Sequence, residues 1–186
     1  MNLELKKHSK INGLTLIDSF VSPDEVSKLK TYLQENKDWV PTVKSMAQSR
    51  AVLQFGYSYP YRAGAKLTET TPIPQEFKFL IDKIRSLKPT SKFHPNQVIV
   101  NRYYKNQGIT KHIDHTTFFG KSVCCLTVGS SGTMVFRQGD ESYNIKAKEG
   151  SMYIMRNDAR YKWTHEMQKL KETTPRYSIT FRKALV

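Results

Sequence analysis

Three regimes of apolar patterning follow one another along the chain. Near the N-terminus a short apolar run, Leu14–Ile17 with Phe20 and Val21, leads into Ser22-Pro23-Asp24-Glu25. That tetrapeptide reads as an N-cap serine, a proline at the first helical position and a glutamate closing a capping box. Val26, Leu29, Tyr32 and Leu33 then share one face at helical spacing. A second helix is expected to begin near Pro74, with Phe77, Leu80, Ile81 and Ile84 as its buried stripe. Lys78, Lys83, Arg85 and Lys88 leave it basic and read as a solvated face. Between the two helices the period drops to two. In SRAVLQFGYSYPYRAG, within the aromatic-rich stretch Trp39–Ala65, Phe55, Tyr57, Tyr59 and Tyr61 alternate between Arg50 and Arg62. Such alternation predicts a strand or hairpin with the four rings on one face. That face either packs on the core or forms a stacking platform whose arginines meet phosphates. Four rings are too many for a platform alone, so one or two are expected to pack beneath it.

After Lys92 the pattern becomes short strands separated by turn residues. They are read as Gln97–Tyr104, Ser122–Val128, Thr133–Arg137, Ser142–Ala147, Ser151–Met155 and Arg176–Phe181. Gly129-Ser130-Ser131-Gly132, Gly139-Asp140 and Glu149-Gly150 punctuate them. The fold class is therefore α+β, mainly β, with helices of the first half supporting a C-terminal double sheet of the sandwich or jelly-roll kind.

Composition narrows the partners. A chain of 186 residues fits one domain. Lys+Arg is 30 and Asp+Glu 16, a net charge of +14. An excess of that size points to polyanions, nucleic acid first, or else to a basic surface without a dedicated partner. No uncharged apolar run reaches the roughly 20 residues of a membrane span, and MNLELKKHSK lacks the apolar centre of a signal peptide. Cys124 and Cys125 are adjacent and would point to opposite faces of a strand. They are expected to be free thiols of an intracellular protein, cytoplasmic or nuclear.

The candidate chemistry is concentrated in NRYYKNQGITKHID, residues 101–114. His112 and Asp114 stand one apart, so an extended backbone puts both on one face. With His165, the only histidine after His115, they make a 2-His-1-carboxylate set, the facial triad of non-haem Fe(II) oxygenases. In RYSITFR, Arg176, Ser178, Thr180 and Arg182 alternate with Tyr177, Ile179 and Phe181. The polar face is either solvated or built for carboxylates, which the guanidinium fork prefers. The two arginines lie roughly 20 Å apart on an ideal strand. A small dicarboxylate gripped from both ends would use both. Asn101 and Tyr103 share a face on the opening strand and can bond carboxylate oxygens.

Taken together, N-x-Y (Asn101, Tyr103), H-x-D (His112, Asp114), the distant His165 and R-x5-R (Arg176, Arg182) resemble the AlkB family of Fe(II)- and 2-oxoglutarate-dependent dioxygenases over about residues 50–183. SRAVLQFGYSYPY (49–61), RYKWTH (160–165) and RYSITFRK (176–183) are similar to the branch associated with tRNA wobble-uridine modification. That branch usually carries an RNA-recognition motif and a methyltransferase domain as well, for which these 186 residues have no room. The resemblance implies a single dioxygenase domain over 1–186. It would have an N-terminal extension (1–48), a nucleotide-recognition lid (49–66) and a double-stranded β-helix core (97–183).

The resemblance also implies Fe(II) on His112, Asp114 and His165. It implies 2-oxoglutarate held by Arg176, Tyr103 and Ser178 at one end and by Asn101 and Arg182 towards the metal, with O2 as the other substrate. Several family members carry Asn where Ser178 stands. Thr116 occupies the place of a base-reading Asp in the bacterial founder, so base choice does not carry over. The lid correspondence assigns Arg50, Phe55, Tyr57, Tyr59, Tyr61 and Arg62 to substrate. The expected partner is single-stranded DNA or RNA, tRNA included, bound by a monomer away from membranes. Decarboxylation of 2-oxoglutarate to succinate would accompany hydroxylation of a substrate C–H, and a hydroxylated N-methyl leaves as formaldehyde. A base in a duplex would first have to be flipped out. Two other readings remain at this point: an oxygenase of proteins or small molecules, and a non-catalytic binding module.

Overall fold

The structure, a computed structural model, describes residues 3–43, 49–61 and 64–186. The first half contains β1 (Lys6–Lys7), β2 (Leu14–Ile17), α1 (Pro23–Glu35), β3 (Val40–Pro41), β4 (Ala51–Phe55), β5 (Tyr57–Ser58), β6 (Thr68–Glu69) and α2 (Lys78–Ser86). The second half contains β7 (Gln97–Tyr103), β8 (Ile109–His112), β9 (Phe119–Gly129), β10 (Gly132–Gln138), β11 (Glu141–Ala147), β12 (Met152–Met155), α3 (Asn157–Tyr161), β13 (Thr164–Met167) and β14 (Arg176–Ala184).

Helix α1 starts where its capping box requires. The Ser22 hydroxyl accepts the Glu25 N–H at 3.2 Å, and the Glu25 carboxylate accepts the Ser22 N–H at 2.8 Å. Helix α2 begins at Lys78, after a 3-10 turn over Gln75–Phe77, and buries Leu80 and Ile84. Ile81 is only half-buried, at the edge of the expected stripe.

An eight-stranded antiparallel sheet runs in the order β1-β2-β12-β9-β14-β7-β4-β3, and a four-stranded sheet runs β11-β10-β13-β8. One face of the large sheet carries α1 and α2. There Val98, Val100, Cys124, Leu126, Ile179 and Phe181 meet Leu29, Leu33, Phe77 and Leu80. Its other face meets the small sheet through Tyr103, Val123, Cys125, Tyr153, Phe136 and Met134. The period-2 alternation splits Cys124 from Cys125 as expected, and both thiols are free and buried. A large apolar side chain buried in such a core contributes roughly 1.5–3 kcal/mol. The many contributors on the helix side make this half of the molecule the rigid support of the site.

All six expected strands are present, with ends shifted by a few residues. The structure adds β8 and β13, four residues each, whose partly exposed patterns gave no run of apolar residues to read. Strand β14 is flanked by β7 and β9. Its apolar face packs on the helices; the other face, with Arg176, Ser178, Thr180 and Arg182, is turned towards the small sheet and is not a solvent face: all four side chains are buried.

Candidate active site

The small sheet builds the metal-ligand cluster. His165 on β13 stands directly opposite His112, the last residue of β8. Asp114 lies two residues on, where the chain has left the strand. The three side chains offer ligand atoms all within 4.8 Å of one another. His165 and Asp114 are buried and His112 is half-buried, so the cluster is closed below and open on one side. The Nδ1 of His112 lies 2.9 Å from the Thr110 carbonyl. An N–H donated there leaves Nε2 of that ring with its lone pair, the tautomer a metal needs.

Charge is arranged the same way. Burial pushes His165 down to about 3, with His112 and Arg182 adding to the effect against the opposing pull of Asp114. Burial alone would raise Asp114, but Arg182, His165 and His112 together hold it at about 2. Neutral imidazole beside ionised carboxylate is the protonation state in which these groups bind a cation. Two imidazoles and one carboxylate suit Fe(II) and leave coordination positions open.

Over the cluster lies a cavity of about 290 Å³. Asn101 and Tyr103 reach its wall from β7, and Ser178, Thr180 and Arg182 from β14. Asn101 and Ser178 are cross-strand partners, so the two motif strands converge by register. Arg182 ion-pairs with Asp114 through Nη2, while its Nε and Nη1 are buried without a partner. Unmet guanidinium donors beside an open cavity fit a carboxylate ligand, because each unmet buried donor is costly.

Arg176 is fully buried and does not reach the cavity wall. Its Nη1 donates to the carbonyls of Ser130 and Ala147, both at 3.2 Å, and its Nη2 to the Thr127 hydroxyl at 3.0 Å. Its Nε has no partner. A Cβ on Gly132 would come within 3.0 Å of that Nε, so the glycine makes room for the arginine.

The 2OG-Fe(II) oxygenase superfamily profile matches residues 13–182, most of the chain. The chain belongs to this superfamily. Fe(II), 2-oxoglutarate and O2 are therefore its cofactor and substrates, and the His-Asp-His cluster is of the matching kind. Its relatives are AlkB-like. A Xenopus tropicalis protein named tRNA (carboxymethyluridine(34)-5-O)-methyltransferase alkbh8 is 27% identical over 82% of this chain, which corresponds to 24% of that protein. The Arabidopsis thaliana alkylated DNA repair protein ALKBH8 homolog is 24% identical, covering 93% of this chain and 58% of its own length. Protein L905 of Acanthamoeba polyphaga mimivirus, described as uncharacterized, is 27% identical over 98% of this chain and 90% of its own. This oxygenase thus spans about a quarter of the Xenopus methyltransferase it resembles. In fold it is similar to OsALKBH1, with TM-score 0.74 and 16% identity over 97% of this chain and 100% of the other. It is also similar to a Pseudomonas putida prolyl-4-hydroxylase, with TM-score 0.64 and 11% identity over 92% of both chains. The jelly-roll expectation holds.

The aromatic stretch of the oxygenase is divided rather than one-faced. Phe55 points to the helices and packs edge-to-face on Phe77 at 5.8 Å. As a substrate contact it is corrected to a core residue. The cause is Gly56, at φ +76, which ends the strand and resets the alternation; a Cβ there would collide with the Asn96 carbonyl. Tyr57 and Tyr59 then pack around Phe119, Leu67 and Phe118. Tyr59 and Tyr61 line the cavity, edge-to-face at 4.9 Å. The Gln54 amide positions this pair by accepting the Tyr59 N–H at 2.6 Å, a role that the sequence pattern did not signal.

Arg50 also lines the cavity, with Nε donating to Asn101 Oδ1 at 3.0 Å, rather than standing outside as a phosphate contact. Thr116 is exposed on the turn after Asp114 and is absent from the cavity wall. The chain turns outward directly after the metal-ligand carboxylate, so the side chain two residues on faces away. Arg62 lies outside the described residues.

One site residue went unread in the sequence. Arg160, at 1% exposure on α3, donates to four backbone carbonyls of the loop that carries Asp114. These are Asp114 at 2.8 Å, His115 and Phe119 at 3.1 Å, and Gly120 at 3.2 Å. Arg160 lies in a five-residue helical segment between β12 and β13, and nothing in its own neighbourhood distinguishes it from a surface arginine.

Proposed function

We propose that this AlkB-like oxygenase acts on nucleic acid, removing N-alkyl groups from bases of DNA or RNA or hydroxylating a modified base of tRNA. The carrying observation is that Tyr59 and Tyr61 line the same cavity as the His-Asp-His cluster, in a chain of net charge +14. Two aromatic rings beside a buried reaction centre suit a planar base drawn out of its strand. Relatives named for tRNA modification and for alkylated DNA repair support the reading.

In this proposal His112, Asp114 and His165 hold Fe(II). Asn101, Tyr103, Arg176, Ser178 and Arg182 hold 2-oxoglutarate. Arg182 takes a carboxylate on its unmet Nη1 while Nη2 stays on Asp114, which couples cosubstrate binding to the metal ligand. Arg176, set behind the cavity wall at the deep end of the β7–β14 pair with Nη1 and Nη2 on Ser130, Ala147 and Thr127, supplies the positive charge that attracts the distal carboxylate. Ile99, Val123, Met134 and Met155 form apolar wall that excludes water. Residues 49–66 act as the lid, with Arg50 bridging it to Asn101. The bound metal, with 2-oxoglutarate and O2, supplies oxidation of a substrate C–H; the protein contributes position.

The test is to incubate the protein with Fe(II), 2-oxoglutarate and a panel of modified DNA and RNA oligonucleotides and tRNA, following each product by mass. The expected result is loss of an alkyl group or gain of one oxygen on a nucleic acid, with stoichiometric succinate. Succinate formation stimulated by proteins or small metabolites and by no nucleic acid would refute the reading.

A further inference from the structure

Beside the metal cavity lies a second hollow of about 650 Å³. It is lined by Lys88 and Lys92 from the turn after α2, by Lys121 on β9, by Arg156 ahead of α3 and by Lys183 on β14. No aspartate or glutamate lines it. Some cations elsewhere on the molecule are paired, among them Lys6 with Asp18, Lys30 with Glu149, Lys83 with Glu25, Lys162 with Asp158 and Arg137 with Glu166. None of the five cations of the hollow has a carboxylate within ion-pair distance among the described residues, and Arg156 Nε is buried with no partner. Gathering five like charges without counter-ions costs stability through self-repulsion. A binding surface offsets that cost when its ligand arrives.

The hollow is joined to the metal site by one short loop. Phe119 contributes to both walls, His115 faces the metal cavity and Thr116 the hollow. Tyr161, 42% exposed, stands at the margin of the hollow, with the Arg160 guanidinium 4.9 Å from its ring centroid.

We infer that this hollow is a groove for the phosphodiester backbone of a single-stranded nucleic acid flanking the base that enters the metal cavity. The inference rests on the nucleic-acid reading above and gives it a surface. Cations supplied by four separate segments and converging on one channel match a polymer with an anion at every unit. An exposed aromatic ring among them adds a sequence-tolerant stacking contact. An acidic protein segment would meet the cations but would leave Tyr161 unused.

The experiment measures binding of a fluorescent 20-mer oligothymidylate or oligouridylate across a salt series. It compares the wild-type protein, the groove variant Lys92→Glu/Lys121→Glu/Lys183→Glu, and the control variant Lys7→Glu/Lys146→Glu/Lys171→Glu. The control carries the same net charge with its changes outside the groove. Each phosphate contact on a single strand contributes roughly 0.7 to the slope of log K against log salt. Loss of three contacts should lower the slope by about 2 and weaken binding about 100-fold at 0.1 M salt, with the control several-fold weaker at most. Polyglutamate of matching charge should displace the oligonucleotide poorly. Equal weakening in both variants would assign binding to net charge and overturn the groove, as would an unchanged slope in a groove variant that melts like wild type. Polyglutamate competing as well as unlabelled oligonucleotide would replace nucleic acid by an acidic protein. If the wild type binds neither polymer, the nucleic-acid reading fails along with the groove; if it binds and only the groove variant is unaffected, that reading stands without this surface.

Discussion

Removing Arg160 tests whether the metal-ligand loop is held from outside or by itself. The guanidinium donates four hydrogen bonds of 2.8–3.2 Å to the carbonyls of Asp114, His115, Phe119 and Gly120. Burial lowers its pKa, yet an arginine starts so high that it stays charged. Bonds from a charged donor contribute roughly 1.5–3 kcal/mol each, though they are not additive when they share one group. Arg160→Ala leaves those carbonyls unmet and opens a void. The expected net loss is about 3–5 kcal/mol. In a domain of this size that lowers Tm by roughly 6–20 °C. Arg160→Lys keeps the charge but can point at only one or two carbonyls, so it should recover less than half. The second readout is Co(II) affinity by absorption titration at 10 °C, well below the variant's melting. Misplacing Asp114 should weaken it about 10- to 100-fold, as for groups that orient metal ligands. An Arg160→Ala protein with Tm within about 2 °C of wild type and unchanged Co(II) affinity would refute the argument. A lowered Tm with intact Co(II) affinity would show that Arg160 stabilises α3 without positioning the triad.

Asp114→Ala should abolish 2-oxoglutarate turnover and also leave Arg182 buried without its carboxylate, costing roughly 3–5 kcal/mol in the metal-free protein. Adding Arg182→Met should restore most of that stability in a denaturant titration and none of the turnover. Arg176→Ala should weaken 2-oxoglutarate binding about 10- to 150-fold, the equivalent of 1.5–3 kcal/mol, in a direct titration. Tyr61→Ala should raise the oligonucleotide KM by the loss of about 1–3 kcal/mol of stacking at unchanged Tm. Phe55→Ala should instead cost about 3–5 kcal/mol of stability and leave KM alone. Burial opposes the charge of Glu25, but Lys83 and the Ser22 N–H hold its pKa below the ordinary value of 4.5. Because the folded pKa is the lower one, this stabilisation is complete above that value and is lost as pH falls through the folded pKa. Glu25→Gln should therefore flatten the acid limb of Tm against pH below 4.5.

Local rules were enough for much of this protein. The capping box at Ser22, the apolar alternation of β7, β9 and β14 and the split of Cys124 from Cys125 each depend on a few neighbouring residues and on fixed backbone periods. The metal set could be read because His112 and Asp114 are adjacent in the chain and no other histidine follows His115 except His165.

What the sequence left undecided was which neighbour each polar group would find. Nothing in RYSITFR says that its polar face is roofed by a second sheet. Only the β10–β13–β8 layer turns that face inward and sets Arg182 against Asp114. The alternation of Phe55, Tyr57, Tyr59 and Tyr61 counted residues correctly but could not foresee that Gly56, at positive φ, would part Phe55, which goes to the helices, from Tyr59 and Tyr61, which line the cavity. Arg160 and the loop it holds are about 40 residues apart in sequence, and their contact exists only once both are packed on β9. Periodicity decides which residues share a face; long-range packing alone decides what that face meets, and a buried arginine takes its role from what it meets.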